Sequence, residues 1–367
     1  MTSEPLRVAI VGAGRIGQFH AGYVMEVGAR HGDCELVAVV DDYSDTADRV
    51  AAELSPAAGQ KIRAFRQVEE LIAADLSTVT IVASRTSDHH HHCRALVDAG
   101  QRVLLEKPLT DTVESGIELT SYLNRSASGR DAVMIGFMRR FDAALVRAKQ
   151  LLEAGVIGRL FKIVSILEDP VGPPTGYSSS GMLGDMGVHN VDEVMWLTGV
   201  RPTSVEGFGS CLHNQYVSDV AEDFDDGFVQ LRFAEQENLC AQIVVTRNHV
   251  SGYRNETLLY GDEGMIHSGR FAPRAGDVNF EAYRKGGEVV EERIFVDSRH
   301  HSEGDVPKFI ERFGDAYLAQ VEHFVAQCRS GEPFAGANHD DGLRAMQVVE
   351  AGMRAQRQPR EGVPISY

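Results

Sequence analysis

The sequence predicts an α/β domain with a doubly wound parallel sheet, followed by an α+β domain with an open, mostly antiparallel sheet. Two observations predict the first fold: apolar strands alternate with helical segments, and a glycine-rich turn joins the first strand to the first helix. A run of extended segments with one helix among them predicts the second. Since 367 residues suit about two domains, we place them at 1–130 and 131–367.

The first domain begins with the apolar run LRVAIV, which ends in glycines and is typical of a buried strand. Ile16, Phe19, Tyr23 and Val27 follow it with helical spacing. Further strands and helices alternate: CELVAVV, a helix opened by Ser44 as N-cap, STVTIVA, a helix opened by four histidines, RVLL, the helix DTVESGIELTSYL, and DAVMIGFM. Such alternation implies right-handed crossovers and a parallel sheet covered on both faces.

The turn after the first strand carries the spacing G-x-G-x-x-G. Glycines permit a tight turn and let backbone amides approach a pyrophosphate at the helix N-terminus. Glycines also simply make turns, but this motif follows a strand, precedes a helix and meets a second strand that ends in an aspartate. We therefore predict a dinucleotide site that includes Gly12, Gly14, Arg15, Ile16, Gly17 and Asp41.

Asp41 predicts which dinucleotide binds. Its carboxylate can accept hydrogen bonds from the adenosine ribose hydroxyls, and it would repel a 2′-phosphate. No arginine or lysine lies between Asp41 and Arg49 to reverse that preference, so we expect NAD rather than NADP. Asp42 either shares this role or is an exposed turn residue, and we favour the second interpretation.

Composition argues against several functions. The formal charge of −17 disfavours nucleic-acid binding because a phosphate backbone would be repelled. The N-terminus lacks the basic and apolar segments of a signal peptide, and no apolar run approaches the length of a membrane span. Five widely spaced cysteines without a C-x-x-C motif fit reduced thiols in a cytoplasmic protein.

The four consecutive histidines at 89–92 raise the question of a metal site. On a helix they point in four directions, and only His89 and His92 share a face. Zinc needs several ligands that converge from one side. We therefore expect a structural or surface role for this run and no metal.

The second domain begins with a helix in RRFDAALVRAKQLLEAGVIG. The extended segments that follow are RLFKIVSILED, TSVEGFGSCL, DDGFVQLRFA, LCAQIVVTRN, NETLLYGDEG and MIHSGRFA. One helix, MLGDMGVHNVDEVMWLTG, interrupts them, and a helical region ends the chain. The proline-rich stretch 168–182 indicates a loop at the mouth of a pocket.

Three residues offer the groups that alcohol dehydrogenation needs. Lys107, in Glu106-Lys107-Pro108, follows a parallel strand at its carboxyl end and can hydrogen-bond a substrate oxygen. Asp185 and His189 are four apart on one helix, so the carboxylate can orient an imidazole that accepts a proton. Taken alone, Lys107 is as well explained as a surface lysine, and Asp185 and His189 are better explained as a helix N-terminal carboxylate and a packed histidine. Together with a dinucleotide fold they predict a base, an oxygen polariser and a hydride acceptor.

The motifs GAGRIG, EKP and DMGVHNVD, in that order, resemble the glucose-fructose oxidoreductase, inositol dehydrogenase and rhizopine catabolism family (Gfo/Idh/MocA) along nearly the whole chain. Within the family, GFMRRFDAALVRAKQLLEAGVIG is most similar to inositol 2-dehydrogenases. The resemblance implies a Rossmann domain, an open-faced sheet, and homodimers or homotetramers assembled through that sheet.

The resemblance also implies roles for residues. Lys107 and His189 would contact the reacting hydroxyl, with His189 as the base and Asp185 supporting it. The residues implied to hold other hydroxyls are Arg139, Arg140, Asp192 and Tyr253; surface ion pairs are the alternative for the arginines and Asp192. The further residues implied on the cofactor side are Ser84, His89, Glu106 and Lys107.

The chain departs from inositol enzymes at positions expected on the substrate side. Those enzymes commonly have an acid where this chain has Asn190, and they tend to have acids where it has Arg254 and Leu258. We expect an NAD-dependent dehydrogenase acting on a secondary hydroxyl of a cyclitol or sugar, with a small polyol or sugar as its partner. The alternatives are a pyranose or aldose dehydrogenase, a non-catalytic dinucleotide or sugar sensor, and a redox-assisted epimerase or hydrolase.

Overall fold

The computed structural model describes residues 4–125, 127–172, 181–214, 217, 223–234, 238–270, 276–296, 308–358 and 363–367. Residues 173–180 of the predicted loop lie outside this set. Contacts within the chain divide it into two compact units, 1–138 with 317–343, and 139–316 with 344–367. This grouping differs from a single division at residue 130, because a segment near the C-terminus clusters with the N-terminal part of the chain.

The first unit is built on one sheet. Its strands are β1 Leu6–Val11, β2 Cys34–Val40, β3 Arg63–Phe65, β4 Val79–Val82, β5 Arg102–Leu105 and β6 Val133–Ile135. They lie in the order β3-β2-β1-β4-β5-β6, and every pairing is parallel. The predicted doubly wound parallel sheet is confirmed, and its inner strands are apolar and largely buried, as a sheet covered on both faces requires.

Helices connect these strands: α1 Arg15–His31, α2 Thr46–Ala58, α3 Val68–Ala73, α4 His89–Asp98, α5 Val113–Leu123 and α6 Ala127–Arg130. The prediction for Ser44 is wrong: α2 has Asp45 as its N-cap, and Ser44 has a φ of 50°. β3 and α3 are absent from the sequence prediction because elements this short show no clear periodicity.

Hydrogen bonds explain why a C-terminal segment belongs to the first unit. The guanidinium of Arg102 on β5 donates to the carbonyl oxygens of Gln327 and Glu332, both at 2.6 Å. The amide of Ile135 on β6 donates to the carbonyl of Ala337 at 2.8 Å. The segment is therefore fastened to β5 and β6, at one side of the parallel sheet.

The second unit is built on nine strands: β7 Leu160–Glu168, β8 Ser204–Ser210, β9 Asp226–Arg232, β10 Cys240–Thr246, β11 Arg254–Gly261, β12 Gly264–Ser268, β13 Val278–Arg284, β14 Glu288–Phe295 and β15 Val363–Pro364. Their order is β14-β13-β12-β11-β7-β10-β9-β8-β15. Of the strand pairs within the described residues of this unit, only β7 and β10 pair in parallel, so the predicted mostly antiparallel sheet is confirmed. The β13–β14 hairpin is missing from the sequence prediction, although Gly286 and Gly287, both with positive φ, mark its turn.

The remaining helices are α7 Ala143–Glu153, α8 Val188–Thr198, α9 Lys308–Ser330 and α10 His339–Arg357. The segment before α8 is not the regular helix expected from the sequence, because Leu183–Gly187 form a π-helical turn. None of the helices in the described ranges combines the length and the apolar character needed to cross a membrane.

Candidate active site

The glycine-rich turn has the geometry that its spacing predicts. Gly12 has a φ of 92°, and a Cβ built on it would lie 2.4 Å from the backbone nitrogen of Ser84. A Cβ on Gly17 would lie 1.8 Å from the carbonyl oxygen of Gly12, so α1 packs directly against the turn. By contrast, no atom lies within 4 Å of a Cβ built on Gly14. Gly12 and Gly17 are required by packing, whereas Gly14 leaves open space beside the backbone, where a ligand can approach.

The N-terminus of α1 suits an anion. Gly14 is its N-cap and makes no side-chain capping hydrogen bond, and the first turn contains Arg15 but no acidic residue. The amides of a helix N-terminus and the helix dipole favour negative charge. The amide side chain of Gln18 donates to the carbonyl of Ala13 at 2.9 Å and stabilises the turn. The pyrophosphate of a dinucleotide therefore fits these residues.

Two backbone amides orient the carboxylate of Asp41. Its Oδ2 accepts a hydrogen bond from the amide of Ala13 at 2.7 Å, and its Oδ1 accepts one from the amide of Tyr43 at 2.9 Å. A carboxylate oxygen can accept a further hydrogen bond. Asp41 is thus fixed beside the glycine-rich turn and retains the capacity to accept hydrogen bonds from ribose hydroxyls.

Two members of the histidine run, His89 and His92, contact the segment that follows β4. The ring nitrogens of the buried His89 lie 2.9 Å from the carbonyl oxygen of Pro108 and 3.2 Å from that of Ser84. Nδ1 of His92 lies 3.0 Å from the hydroxyl of Ser84. Burial lowers the pKa of His89 and of His92 from the ordinary value, which favours neutral rings. Among the described residues, no group of three or more His, Cys, Asp or Glu side chains could hold a metal ion.

The backbone around Lys107 is fixed on both sides. Glu106 is buried; its Oε1 lies 2.8 Å from Nε2 of His20, and its Oε2 accepts from the amide of Lys107 at 3.1 Å. The peptide bond between Lys107 and Pro108 is cis, and the carbonyl of Pro108 is the group that His89 contacts. Glu106 therefore holds the backbone at Lys107, and His89 holds it at the adjacent Pro108.

Asp185 and His189 lie at the start of the helical segment of the second unit. Asp185 belongs to the π-helical turn, and His189, only 7% exposed, lies in the first turn of α8. Oδ2 of Asp185 accepts a hydrogen bond at 2.8 Å from Arg247, which directly follows β10. Arg247 is absent from the residues predicted for the site; its signal in the sequence is a charged residue at the end of the apolar strand LCAQIVVT.

Arg140 and Asp192 form a buried ion pair. The guanidinium donates to both carboxylate oxygens of Asp192, at 2.6 and 3.0 Å, in a bidentate geometry. The carboxylate of Asp192 is 1% exposed, so this is not a surface ion pair. Asp192 follows His189 by three residues on α8, so the two side chains share a face of the helix.

Arg139 is part of a separate buried network. Its guanidinium donates to Glu193 at 2.7 Å, and Glu193 also accepts hydrogen bonds from the hydroxyls of Ser165 and Thr257. The amide of Asn190 donates to the Ser165 hydroxyl at 2.7 Å. Because that hydroxyl gives its own proton to Glu193, position 190 must supply a donor. An asparagine meets this requirement and an ionised aspartate does not.

The residues near the start of β11 separate into two groups. Tyr253 precedes the strand and is buried, and burial raises the pKa of its phenol. Thr257 contacts Glu193 of α8, whereas Arg254 and Leu258, at the opposite parity of the strand, lie on the other face of the sheet. There Arg254 donates to Glu256 at 2.7 Å. Arg254 and Leu258, expected on the substrate side, therefore lie on the face of the sheet opposite Thr257 and α8.

These features first define a class: a protein with a dinucleotide-binding Rossmann unit and a second unit in which a histidine-bearing helix covers an open sheet. Two family models match the chain: "Oxidoreductase family, NAD-binding Rossmann fold" over residues 6–129 and "GFO/IDH/MocA C-terminal domain" over residues 145–267. The chain belongs to the Gfo/Idh/MocA family of oxidoreductases, as its motifs predict. NAD is its cofactor, and the prediction of an NAD-dependent oxidoreductase is confirmed.

Individual relatives match along nearly the whole chain. The inositol 2-dehydrogenase of Rhizobium meliloti is 27% identical over 97% of this chain and 98% of its own length. The scyllo-inositol 2-dehydrogenase (NAD(+)) of Bacillus subtilis is 27% identical over 98% of this chain and 96% of its own. A crystal structure of a myo-inositol dehydrogenase from Corynebacterium glutamicum superposes with a TM-score of 0.80 and 26% identity, covering 99% of both chains. The fold and length of this protein are those of its inositol-oxidising relatives.

Proposed function

We propose that this protein is a dehydrogenase that oxidises a secondary hydroxyl of a cyclitol to the ketone, with NAD as the electron acceptor. One observation carries the proposal: its relatives across nearly the full chain are named inositol dehydrogenases, and it has Lys107, Asp185 and His189 in the motifs of the family. The chain therefore has the three side chains that this oxidation needs.

We assign a separate role to each of the three. His189 accepts the proton of the reacting hydroxyl, which suits an imidazole near neutral pH. Lys107 donates a hydrogen bond to the same oxygen and stabilises its developing negative charge. Asp185 supports His189, and the ion pair with Arg247 fixes the position of that carboxylate. A bound NAD would supply the hydride acceptor for the hydrogen on the carbinol carbon.

The remaining hydroxyls of the substrate are assigned to Arg140, Asp192 and Tyr253. Arg140 and Asp192 present a donor and an acceptor already oriented by their mutual hydrogen bonds. Arg139 is 1% exposed and paired with Glu193, so we assign it to positioning α8 rather than to direct contact with a hydroxyl.

A pyranose or aldose dehydrogenase is the second candidate, and Asn190 favours it. The resemblance to inositol enzymes implies an acid at this position, whereas here the side chain donates to Ser165 within the core. NAD reduction, followed at 340 nm, should be compared for a panel of inositols, pyranoses and aldoses. Binding of these compounds without NADH formation would indicate a sensor. Turnover without net oxidation would indicate an epimerase or hydrolase.

Replacing Lys107 with methionine tests the catalytic assignment. The variant lacks the donor to the reacting oxygen, so kcat should fall by about a hundredfold to a thousandfold. NADH binding, measured by protein fluorescence, should change little. Lys285→Met makes the same replacement in the exposed β13–β14 turn and serves as the control. Activity of K107M within threefold of that control contradicts the role of Lys107.

We also propose a homodimer or homotetramer in the cytoplasm. The open face of the nine-stranded sheet exposes the rings of Phe208 and Phe228, which stack with their centroids 6.1 Å apart. All five cysteines lie within the described residues and none forms a disulfide, in keeping with a reducing compartment. Light scattering should give a dimer or tetramer mass, and a monomer would contradict this assembly.

A further inference from the structure

An ion pair beside the cofactor loop joins two residues that are distant in the sequence. Nη2 of Arg85 lies 2.7 Å from Oδ2 of Asp42, and Nε of the same guanidinium lies 3.0 Å from Oδ2 of Asp88. The side chains of Arg85 and Asp42 are 66% and 51% exposed. The arginine is therefore accessible from solvent and is held by two carboxylates.

The position of this pair connects it with the adenosine end of a dinucleotide. Asp42 follows directly on Asp41, whose carboxylate is fixed by the glycine-rich turn. Arg85 comes from the segment after β4, and β4 and β2 are the two neighbours of β1 in the sheet. The pair therefore links the segments on either side of the carboxyl end of β1, the edge where open α/β sheets bind their ligands.

A cation at this position would ordinarily favour NADP. An arginine near the end of the second strand can accommodate a 2′-phosphate, because a guanidinium matches phosphate oxygens in charge and geometry. Here Nη2 of Arg85, the nitrogen that faces the second strand, already donates a hydrogen bond to Asp42, and Asp41 adds a further negative charge. The sequence offers no such cation between Asp41 and Arg49; the fold supplies it from the next β–α loop on the other side of β1.

We propose that Asp42 reinforces the preference for NAD that Asp41 sets, by holding Arg85, which is a latent site for the 2′-phosphate of NADP. With Asp42 present, Arg85 is neutralised and the enzyme binds NAD. Without its carboxylate, Nη2 is released towards the 2′-phosphate, while Asp88 continues to hold Nε. The inference rests on NAD binding to the first unit and does not depend on the roles of Lys107 and His189.

Asp42→Asn tests the inference in the full-length protein. Dissociation constants of NADH and NADPH are measured by nicotinamide fluorescence for the wild type, D42N, R85A and the double variant D42N/R85A. Hydrogen bonds to a charged group predict that D42N binds NADPH about tenfold more tightly relative to NADH. The double variant should lose that gain. Asp48→Asn removes one charge from an exposed position of α2 and serves as the control.

The double variant separates two explanations. If D42N improves NADPH binding and R85A abolishes the improvement, Arg85 is the phosphate ligand. If the improvement persists without Arg85, or if D42N changes the NADPH to NADH ratio no more than D48N does, the proposal is overturned. Asp42→Ser, which also lacks the carboxylate, is measured in parallel. Its preference for NADPH over NADH should increase as it does in D42N. NADH binding by every variant shows that the unit is folded, and failure of the wild type to bind NADH would instead contradict the cofactor assignment.

Discussion

Replacing Arg139 with methionine removes one member of a buried ion pair while keeping most of the apolar stem. The side chains of Arg139 and Glu193 are 2% and 0% exposed, so the variant leaves a carboxylate in the core without its cation. Breaking a buried pair in this way costs about 3–5 kcal/mol. Because the hydroxyls of Ser165 and Thr257 still donate to Glu193, we expect the lower end, about 3 kcal/mol.

Urea unfolding measures this loss, and two further variants make it specific. Arg232→Met breaks the exposed pair with Glu206 in the same sheet and should lower the free energy of unfolding far less than R139M does, because solvent screens an exposed pair. The double variant R139M/E193Q removes both charges and keeps an acceptor for the two hydroxyls, so it should recover at least half of the stability lost by R139M. A loss in R139M no larger than in R232M, together with a raised KM for substrate, would refute a positioning role and assign Arg139 to the substrate.

Two other predictions concern the first unit. Gly14→Ala should weaken NADH binding at least tenfold and lower the melting temperature only slightly, because no atom lies within 4 Å of the added Cβ and the cost is that of a poorer N-cap. Gly17→Ala should lower the melting temperature much more, because its Cβ meets the carbonyl of Gly12. Equal effects of the two on stability would contradict this distinction. The pKa of His89 is lowered on folding, so the unfolded chain binds more protons below the ordinary histidine pKa, and stability should fall as pH drops from about 6.5 to 5.5. Each such histidine changes the free energy of unfolding by at most about 1.4 kcal/mol per pH unit. Urea unfolding of H89N across this pH range should show a shallower decline in that free energy than the wild type does. Identical slopes in the two proteins would rule out a contribution from His89.

Patterns among neighbouring residues in the sequence determined the fold and the reactive side chains that the protein carries. Alternating strands and helices predicted the parallel sheet, and the spacing of glycines with Asp41 predicted the NAD site, because periodicity and turn geometry depend on neighbouring residues. The motifs around Lys107 and His189 likewise identified the family. Helical spacing likewise predicted the face shared by His89 and His92, both of which contact Ser84.

Only the tertiary structure decided the partners of the charged groups. Arg85 meets Asp42 across 43 residues, Arg247 meets Asp185 across 62, and Thr257 meets Glu193 across 64. Pairing of strands and packing of helices bring such groups together, and the residues between them carry no sign of the contact. The burial of Arg139 and the face on which Arg254 lies depend on the same long-range packing. In the sequence, an arginine looks the same whether its side chain reaches solvent, a ligand or a buried carboxylate.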